Sequence, residues 1–232
     1  MKDVQFDEVY DNGDTLDFAN FNRHMKTKHP DIITTAEDEI IYGSKLYEEL
    51  REINPNARIY AQQGNHELFL ERYILEKVPS FHNFFKLKDM MNFDKLEIDW
   101  LPYQVPRSVG ETNLKIVHSP PSYGVNGSRT SLMMKPGANF IYGCTHRMQC
   151  SSITDANGEV FRVWFNGWLG STDATQEHAQ VFSYMKGNQN WQKCFGAGFH
   201  DGKHFEFQQS MIIQDDNKFS AMVFGNLYEV EV

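Results

Sequence analysis

Four short segments with β-strand character are each followed by a side chain that can donate oxygen, nitrogen or sulfur to a metal ion. The segments are residues 7–10, 57–61, 114–117 and 139–142. The donors that follow them are Asp14, Asn65 with His66, His118, and Cys144 with His146. Open α/β sheets bind their ligands beyond the carboxyl ends of their strands. The pattern therefore predicts neighbouring strands of one sheet whose donors converge in a single metal site.

The segments between these strands predict helices. Residues 36–54 are expected to form one helix, because four apolar side chains recur there at helical spacing on one face: Tyr42, Leu46, Leu50 and Ile53. Glu67 to Lys77 is expected to form a second helix, which Pro79 would end. Residues 81–106 are rich in aromatic side chains and methionine, and short helical pieces are expected there.

Beyond residue 147 the pattern becomes mostly β. Residues 148–154 and 160–165 flank the turn sequence Asp-Ala-Asn-Gly and predict a hairpin. Residues 204–213 and 219–224 predict another. A chain of 232 residues can bury one substantial core, so residues 1–232 are expected to form a single α/β domain.

Charge and composition limit the functional classes. The formal net charge of −9 argues against a protein that coats nucleic acid through a basic surface. It does not exclude a nuclease, because bound cations would reverse the local field. No apolar run approaches the ~20 residues that span a bilayer, and no basic-then-apolar leader follows Met1. With three cysteines in no framework spacing, we expect a cytoplasmic protein.

The order of the motifs resembles that of the calcineurin-like metallophosphoesterases. The chain carries Gly13-Asp14, then Gly64-Asn65-His66-Glu67, then a lone His118, then Gly143-Cys144-Thr145-His146. The sequences around the first two motifs are similar to those of stand-alone members common in bacteriophages, and a phage-encoded chain would be expected in the host cytoplasm. The resemblance runs from about Asp7 to the C-terminus, and it implies a layered α/β/β/α sandwich that hydrolyses phosphate esters.

Two departures from the family pattern modify this expectation. The Asp-x-His motif, which the family places on a strand upstream of Gly-Asp, does not occur in the twelve residues before Gly13. Cys144 stands where the family has the first histidine of its last motif. The chain is therefore expected to lack its first βα unit, and to bind one metal better than two.

The donors suit two-metal hydrolysis of phosphate esters, in which paired cations activate water and neutralise the phosphoryl oxygens. Asp14 can bridge two metals with its two oxygens, and Asn65 offers a neutral carbonyl oxygen. His118 and His146 offer imidazole nitrogens suited to zinc, iron or manganese. These divalent metals are the expected cofactors.

The expected roles of four further residues follow from their chemistry. His66 is expected to act as a general acid near the leaving group, because imidazole loses its proton near neutral pH. Cys144 has two interpretations, a small buried apolar residue or a thiolate ligand for zinc or ferrous iron. Arg147 is the candidate for substrate binding, with a solvated surface charge as the alternative. Glu67 is expected to be a first-turn helix residue rather than a metal ligand.

Three functions remain open. The first is a working phosphomonoesterase or phosphodiesterase, completed by an N-terminal segment that is separately encoded or that precedes Met1 in a longer product. The second is a non-catalytic remnant that serves as a binding module. The third is a nuclease-type subunit that processes DNA, for which the partner would be a nucleic acid or nucleotide. No membrane partner is expected.

Overall fold

A computed structural model of the protein describes residues 5–22, 35–170 and 190–231. It is a mixed α/β protein with three sheets, which include parallel and antiparallel pairings. The described residues divide into two compact units, one up to Val105 and the other from Pro106 onward. Among these residues, no helix has the length and apolar character to cross a membrane.

The first unit is built on a three-stranded parallel sheet. Its strands, in the order β1-β2-β3 across the sheet, are β1 (Glu8–Asp11), β2 (Arg58–Gln62) and β3 (Ile98–Leu101). Its helices are α1 (Ala36–Ile53), α2 (Glu67–Lys77) and α3 (Leu87–Met90), with 3-10 turns at Ala19–Phe21 and Pro79–Phe84. The buried core lies between the sheet and these helices, and Ile59, Ala61 and Phe93 are among its least exposed members.

Helix α1 begins at a capping box and buries a face that the sequence pattern does not indicate. The Thr35 side chain accepts a hydrogen bond from the Asp38 amide, and the Asp38 carboxylate accepts one from the Thr35 amide. The buried face carries Ile40, Gly43 and Tyr47. Three of the four side chains on the predicted face are instead exposed, namely Tyr42, Leu46 and Ile53. The small Gly43 lets the helix approach the core, where an added methyl group would meet Leu16.

The second unit contains the other two sheets. The first has the order β4-β5-β6-β8-β7, from β4 (Arg107–Ser108), β5 (Leu114–Val117), β6 (Asn139–Tyr142), β7 (Gln149–Thr154) and β8 (Val160–Phe165). Strands β5, β6 and β8 are parallel, and helix α4 (Gly127–Met134) lies between β5 and β6 in the chain. The second sheet is antiparallel in the order β12-β11-β10-β9, from β9 (Cys194–His200), β10 (Phe205–Asp215), β11 (Lys218–Val223) and β12 (Asn226–Glu231).

The predicted helices and hairpins are confirmed within a few residues, whereas one feature of the predicted sheet is wrong. Strands β1 and β2 pair in the three-stranded sheet, and β5 and β6 pair in the five-stranded sheet. The four strands thus belong to two sheets rather than one. The sequence interpretation also missed strand β3, which lies inside the aromatic segment, and helix α4.

Candidate metal centre

The loop after β1 places Asp14 at the carboxyl end of that strand. Its backbone has φ of +62°, in the left-handed region that a non-glycine residue seldom adopts. Carboxylates hold this loop through its backbone amides. Asp11 accepts from Gly13 at 3.2 Å, and Glu39 accepts from Phe18 at 2.7 Å. The Asp11 side chain is itself held, because the Thr15 hydroxyl donates to it at 2.6 Å and Tyr47 donates a short hydrogen bond.

The loop after β2 interlocks with the Asp14 loop. The amide of His66 donates to Asp14 Oδ1 at 2.9 Å. Glu67 is 2% exposed, and its Oε2 accepts from the amides of Gly64 at 2.8 Å and Asp14 at 3.2 Å. Its Oε1 accepts from the amide of Leu16 at 2.9 Å. Glu67 is therefore more than a first-turn helix residue, because it joins two loops as well as opening α2.

Glycine is required at position 64 by this interlocking. A Cβ atom there would overlap the backbone nitrogen and Oδ1 of Asp14, and it would lie 2.8 Å from Glu67 Oε2. The backbone of the Gly64 loop can approach Asp14 this closely only without a side chain.

His66 forms a hydrogen-bonded pair with Asp17. Its Nδ1 lies 2.7 Å from Asp17 Oδ1, and its Nε2 lies 3.9 Å from Asp14 Oδ2. Burial by itself lowers the pKa of the imidazole, but the hydrogen bond to Asp17 and the negative charges of Asp14, Asp17 and Glu67 outweigh it and raise the pKa to about 9. The metal-free chain therefore holds a protonated imidazole at this position at neutral pH.

The carboxyl of Glu67 is a second perturbed group in this unit. Burial, followed by the negative charge of Asp14, raises the pKa of Glu67 above its ordinary value. The hydrogen bond from the Leu16 amide acts in the opposite direction because it stabilises the carboxylate.

In the second unit, His118 and Cys144 follow the adjacent parallel strands β5 and β6. His118 is fully buried, and the amide of Gly143 donates to its carbonyl at 2.9 Å, which continues the pairing of the two strands. Cys144 and His146 are half-buried and have φ of +61° and +57°. Unusual backbone conformations of this kind concentrate at functional sites. Three predicted metal ligands, Asp14 included, have left-handed backbones.

Aromatic rings surround His146. Its ring centroid lies 4.4 Å from that of Trp191 and 6.1 Å from that of Trp168, and the two tryptophans are 5.3 Å apart. The segment that carries Trp191 is tied to this loop, because the amide of Gln192 donates to the His146 carbonyl at 2.9 Å. The sequence interpretation missed both tryptophans, since their positions follow from tertiary packing.

Arg147 contacts backbone carbonyls within its own unit. Its guanidinium donates to the carbonyl of Tyr123 at 3.0 Å and to that of Gly124 at 3.4 Å. These bonds connect the loop after β6 with the loop after β5. A substrate contact by Arg147 stays a prediction.

Three of the predicted ligands form a group that can hold a metal ion. Ligand atoms of Asp14, His118 and Cys144 all lie within 4.8 Å of one another. Zinc ligands at ~2.0–2.3 Å from the metal are roughly 3.3–3.8 Å apart, so the donor separations are of the right scale. One oxygen, one nitrogen and one sulfur are also a donor set that zinc accepts. Metal binding by Asn65 and His146 stays a prediction.

In comparisons with known proteins, neither a family model nor a curated protein sequence matches this chain. The resemblance to calcineurin-like enzymes therefore rests on the ordered motifs alone.

Proposed function

We propose that the protein is a metal-dependent phosphoesterase of the calcineurin-like kind, with the layered α/β/β/α sandwich that this family adopts. The observation that carries the proposal is the group formed by Asp14, His118 and Cys144, whose ligand atoms lie within 4.8 Å of one another. If the motif resemblance reflects a shared site, it predicts that donors as far as 130 positions apart in the sequence come together in this way. A chance likeness of short sequences does not.

The donor set favours particular metals. Asp14, His118 and Cys144 would hold the ion, and the thiolate of Cys144 favours zinc or ferrous iron over manganese or magnesium. When bound, a divalent cation supplies Lewis-acid chemistry that offsets negative charge on a phosphate ester and makes water more acidic. Asn65 and His146 are further candidate ligands.

His66 is the proton donor in this proposal. Asp17 accepts a hydrogen bond from Nδ1 and so fixes the orientation of the ring. Nε2 is then the nitrogen from which a proton can pass to the oxygen of a departing alcohol. The raised pKa of His66, about 9 in the metal-free chain, keeps that proton on the ring at neutral pH.

Metal titration with an activity assay tests the proposal. The purified chain should bind zinc or ferrous iron, and His118→Ala should weaken metal binding by at least tenfold. Hydrolysis of a generic aryl phosphodiester by the metal-loaded chain should be slow, because one bound ion does not complete two-metal catalysis. His204→Ala is the matched control, because His204 is an exposed histidine in the turn between β9 and β10. A chain that binds no divalent metal, or equal metal affinity in both variants, would overturn the proposal. Metal binding without hydrolysis would favour the binding-module alternative.

A nucleotide or nucleic-acid substrate is the second candidate, and the rings around His146 favour it. Trp168 and Trp191 are half-buried and flank a candidate metal ligand. Stacking of a base on an aromatic side chain contributes ~1–3 kcal/mol. Trp191→Ala should therefore reduce hydrolysis of a dinucleotide about tenfold more than that of a methyl phosphodiester. Equal losses on both substrates would leave the simple phosphoesterase as the better proposal.

A further inference from the structure

Glu67 is a buried carboxylate whose hydrogen bonds all join loops at the carboxyl ends of β1 and β2. It accepts from the amides of Gly64, Asp14 and Leu16 at 2.8, 3.2 and 2.9 Å. Two of these donors belong to the loop that contains Asp14, and the third precedes Asn65. A single side chain thus fixes both backbone segments that carry predicted ligands in the first unit.

Only a carboxylate satisfies this arrangement. Three amide donors converge on two oxygens, and an ionised carboxylate is an acceptor at both. A glutamine of nearly the same shape would keep one acceptor oxygen. Its side-chain NH2, which can only donate, would face backbone N–H groups that also donate. Truncation to alanine would leave three amides without this acceptor, and those of Gly64 and Leu16 are buried, where an unsatisfied donor is costly.

Asp14 depends on the same arrangement for the direction of its own side chain. Its Oδ1 accepts from the amide of His66 at 2.9 Å, and its backbone is in the left-handed region. The bond from the Asp14 amide to Glu67 holds that conformation from the other side. The carboxylate that contributes an oxygen to the Asp14–His118–Cys144 group is therefore oriented through the segment that Glu67 fixes.

We propose that Glu67 is a positioning residue for metal binding, which holds the Asp14 loop and the Gly64–His66 loop in the geometry that presents Asp14 to the ion. The expected effect of Glu67 on metal affinity rests on the proposed metal-dependent function. The clamping of the loops can be measured without any metal. Residues that hold metal ligands in position through hydrogen bonds typically contribute roughly 10- to 100-fold to metal affinity.

The experiment compares Glu67→Gln with the matched control Glu71→Gln. Glu71 lies one helical turn further along α2, where it accepts from the Gln63 side chain at 2.9 Å. Zinc affinity is measured by competition with a chromophoric chelator, at a temperature at which circular dichroism shows both variants folded. Glu67→Gln should bind zinc roughly 10- to 100-fold more weakly than the wild type, and Glu71→Gln should remain within about twofold.

Amide hydrogen exchange in the metal-free chain supplies the independent measurement. The amides of Gly64, Asp14 and Leu16 should exchange at least tenfold faster in Glu67→Gln, and unchanged exchange would overturn the inference. If Glu67→Gln does not fold, Glu67→Asp is measured in the same way, since it keeps the charge and shortens the reach.

The two readouts separate the possible failures. If the wild type binds no metal but these amides lose protection, the proposed function fails while the clamping of the loops stands. If the wild type binds zinc and folded Glu67→Gln binds it equally well, the positioning role fails while the proposed function stands.

Discussion

The predicted site residues of the two units are held in different ways. In the first unit, hydrogen bonds from backbone amides to the carboxylates of Asp11, Asp14 and Glu67 define the loops after β1 and β2. In the second unit, His118 is fully buried, and His146 packs against Trp191. The first arrangement supplies negative charge and oxygen donors, and the second supplies imidazole and thiol groups in a more apolar setting.

This difference decides how the predicted site residues of each unit respond to mutation. Removing one group from a hydrogen-bonded network leaves its buried partners unsatisfied. Small changes in the first unit should therefore have large effects on loop geometry. Side chains held by packing and backbone conformation keep their positions when only the donor atom changes. Substitutions in the second unit should therefore alter metal preference more than folding.

The largest expected effect is on turnover, from His66→Ala. Removing a general acid typically lowers the rate by roughly 10²–10⁴-fold, whereas zinc affinity should change by less than about threefold, because His66 is not a member of the Asp14–His118–Cys144 group. Steady-state hydrolysis of an activated and an unactivated ester separates the two roles, since a poor leaving group needs the proton more. Equal rate losses on both esters would contradict the acid role.

Gly64→Ala should have the next largest effect, on stability. The added methyl group would overlap Asp14 and approach Glu67, and overpacking of this kind typically costs about 1–3 kcal/mol. Gly124→Ala in the second unit is the control, because nothing lies within 4 Å of a Cβ atom there. Urea unfolding measures both variants. A Gly64→Ala chain as stable as Gly124→Ala would show that the two loops in the first unit are less tightly interlocked than described.

A smaller effect is expected from Cys144→Ser, on metal selectivity. Replacing sulfur by oxygen should weaken zinc binding by about tenfold and leave manganese binding nearly unchanged, because thiolate prefers softer ions. Cys150→Ser in the exposed part of β7 is the control. A cobalt-substituted chain gives an independent signal, since its thiolate absorption band should disappear in Cys144→Ser alone. If the band persists, Cys144 is the buried apolar residue of the alternative interpretation.

The sequence predicted the elements best where the local pattern is strong. Helix α2 has the predicted bounds, and the hairpin of β7 and β8 follows from its Asp-Ala-Asn-Gly turn. Strand β3 was missed because its four residues alternate only weakly, and because it pairs with β2 across the 35 residues 63–97 that lie between the two strands. The exposed face of α1 was misjudged because apolar spacing alone does not tell which face meets the core.

The candidate site also contains residues that a local sequence pattern identifies and residues whose roles depend on tertiary contacts. Strand ends identified Asp14, His118 and Cys144, because a donor after a strand is a local pattern. The roles of Glu67 and Asp17 depend on which loops meet, and no local signal carries that information. The left-handed backbone of Cys144 was equally invisible, since cysteine is not among the residue types enriched in that region.

The last and smallest expected effect is on the pH dependence of stability. It tests whether negative charge distinguishes the first unit from the second. In the metal-free chain, burial lowers the pKa of His66, but the hydrogen bond to Asp17 and the surrounding carboxylates raise it from 6.5 to about 9. A histidine with a folded-state pKa above its unfolded value stabilises the fold fully below that unfolded value, near pH 6.5. The contribution is lost as pH rises through about 9.

The unfolding free energy of the metal-free wild type should therefore fall between these pH values more steeply than that of Asp17→Asn, which removes the charged partner of Nδ1. Glu67 also has a raised pKa, and its titration lowers stability in the same direction, but it is present in both chains and largely cancels in the comparison. Urea unfolding at intervals across this range gives the slopes, and an NMR titration of the imidazole gives the pKa itself. A His66 pKa below 7, or parallel slopes for the two chains, would show that the surrounding carboxylates do not determine the protonation of His66 in the first unit. Its site residues would then be held, like those of the second unit, mainly by packing.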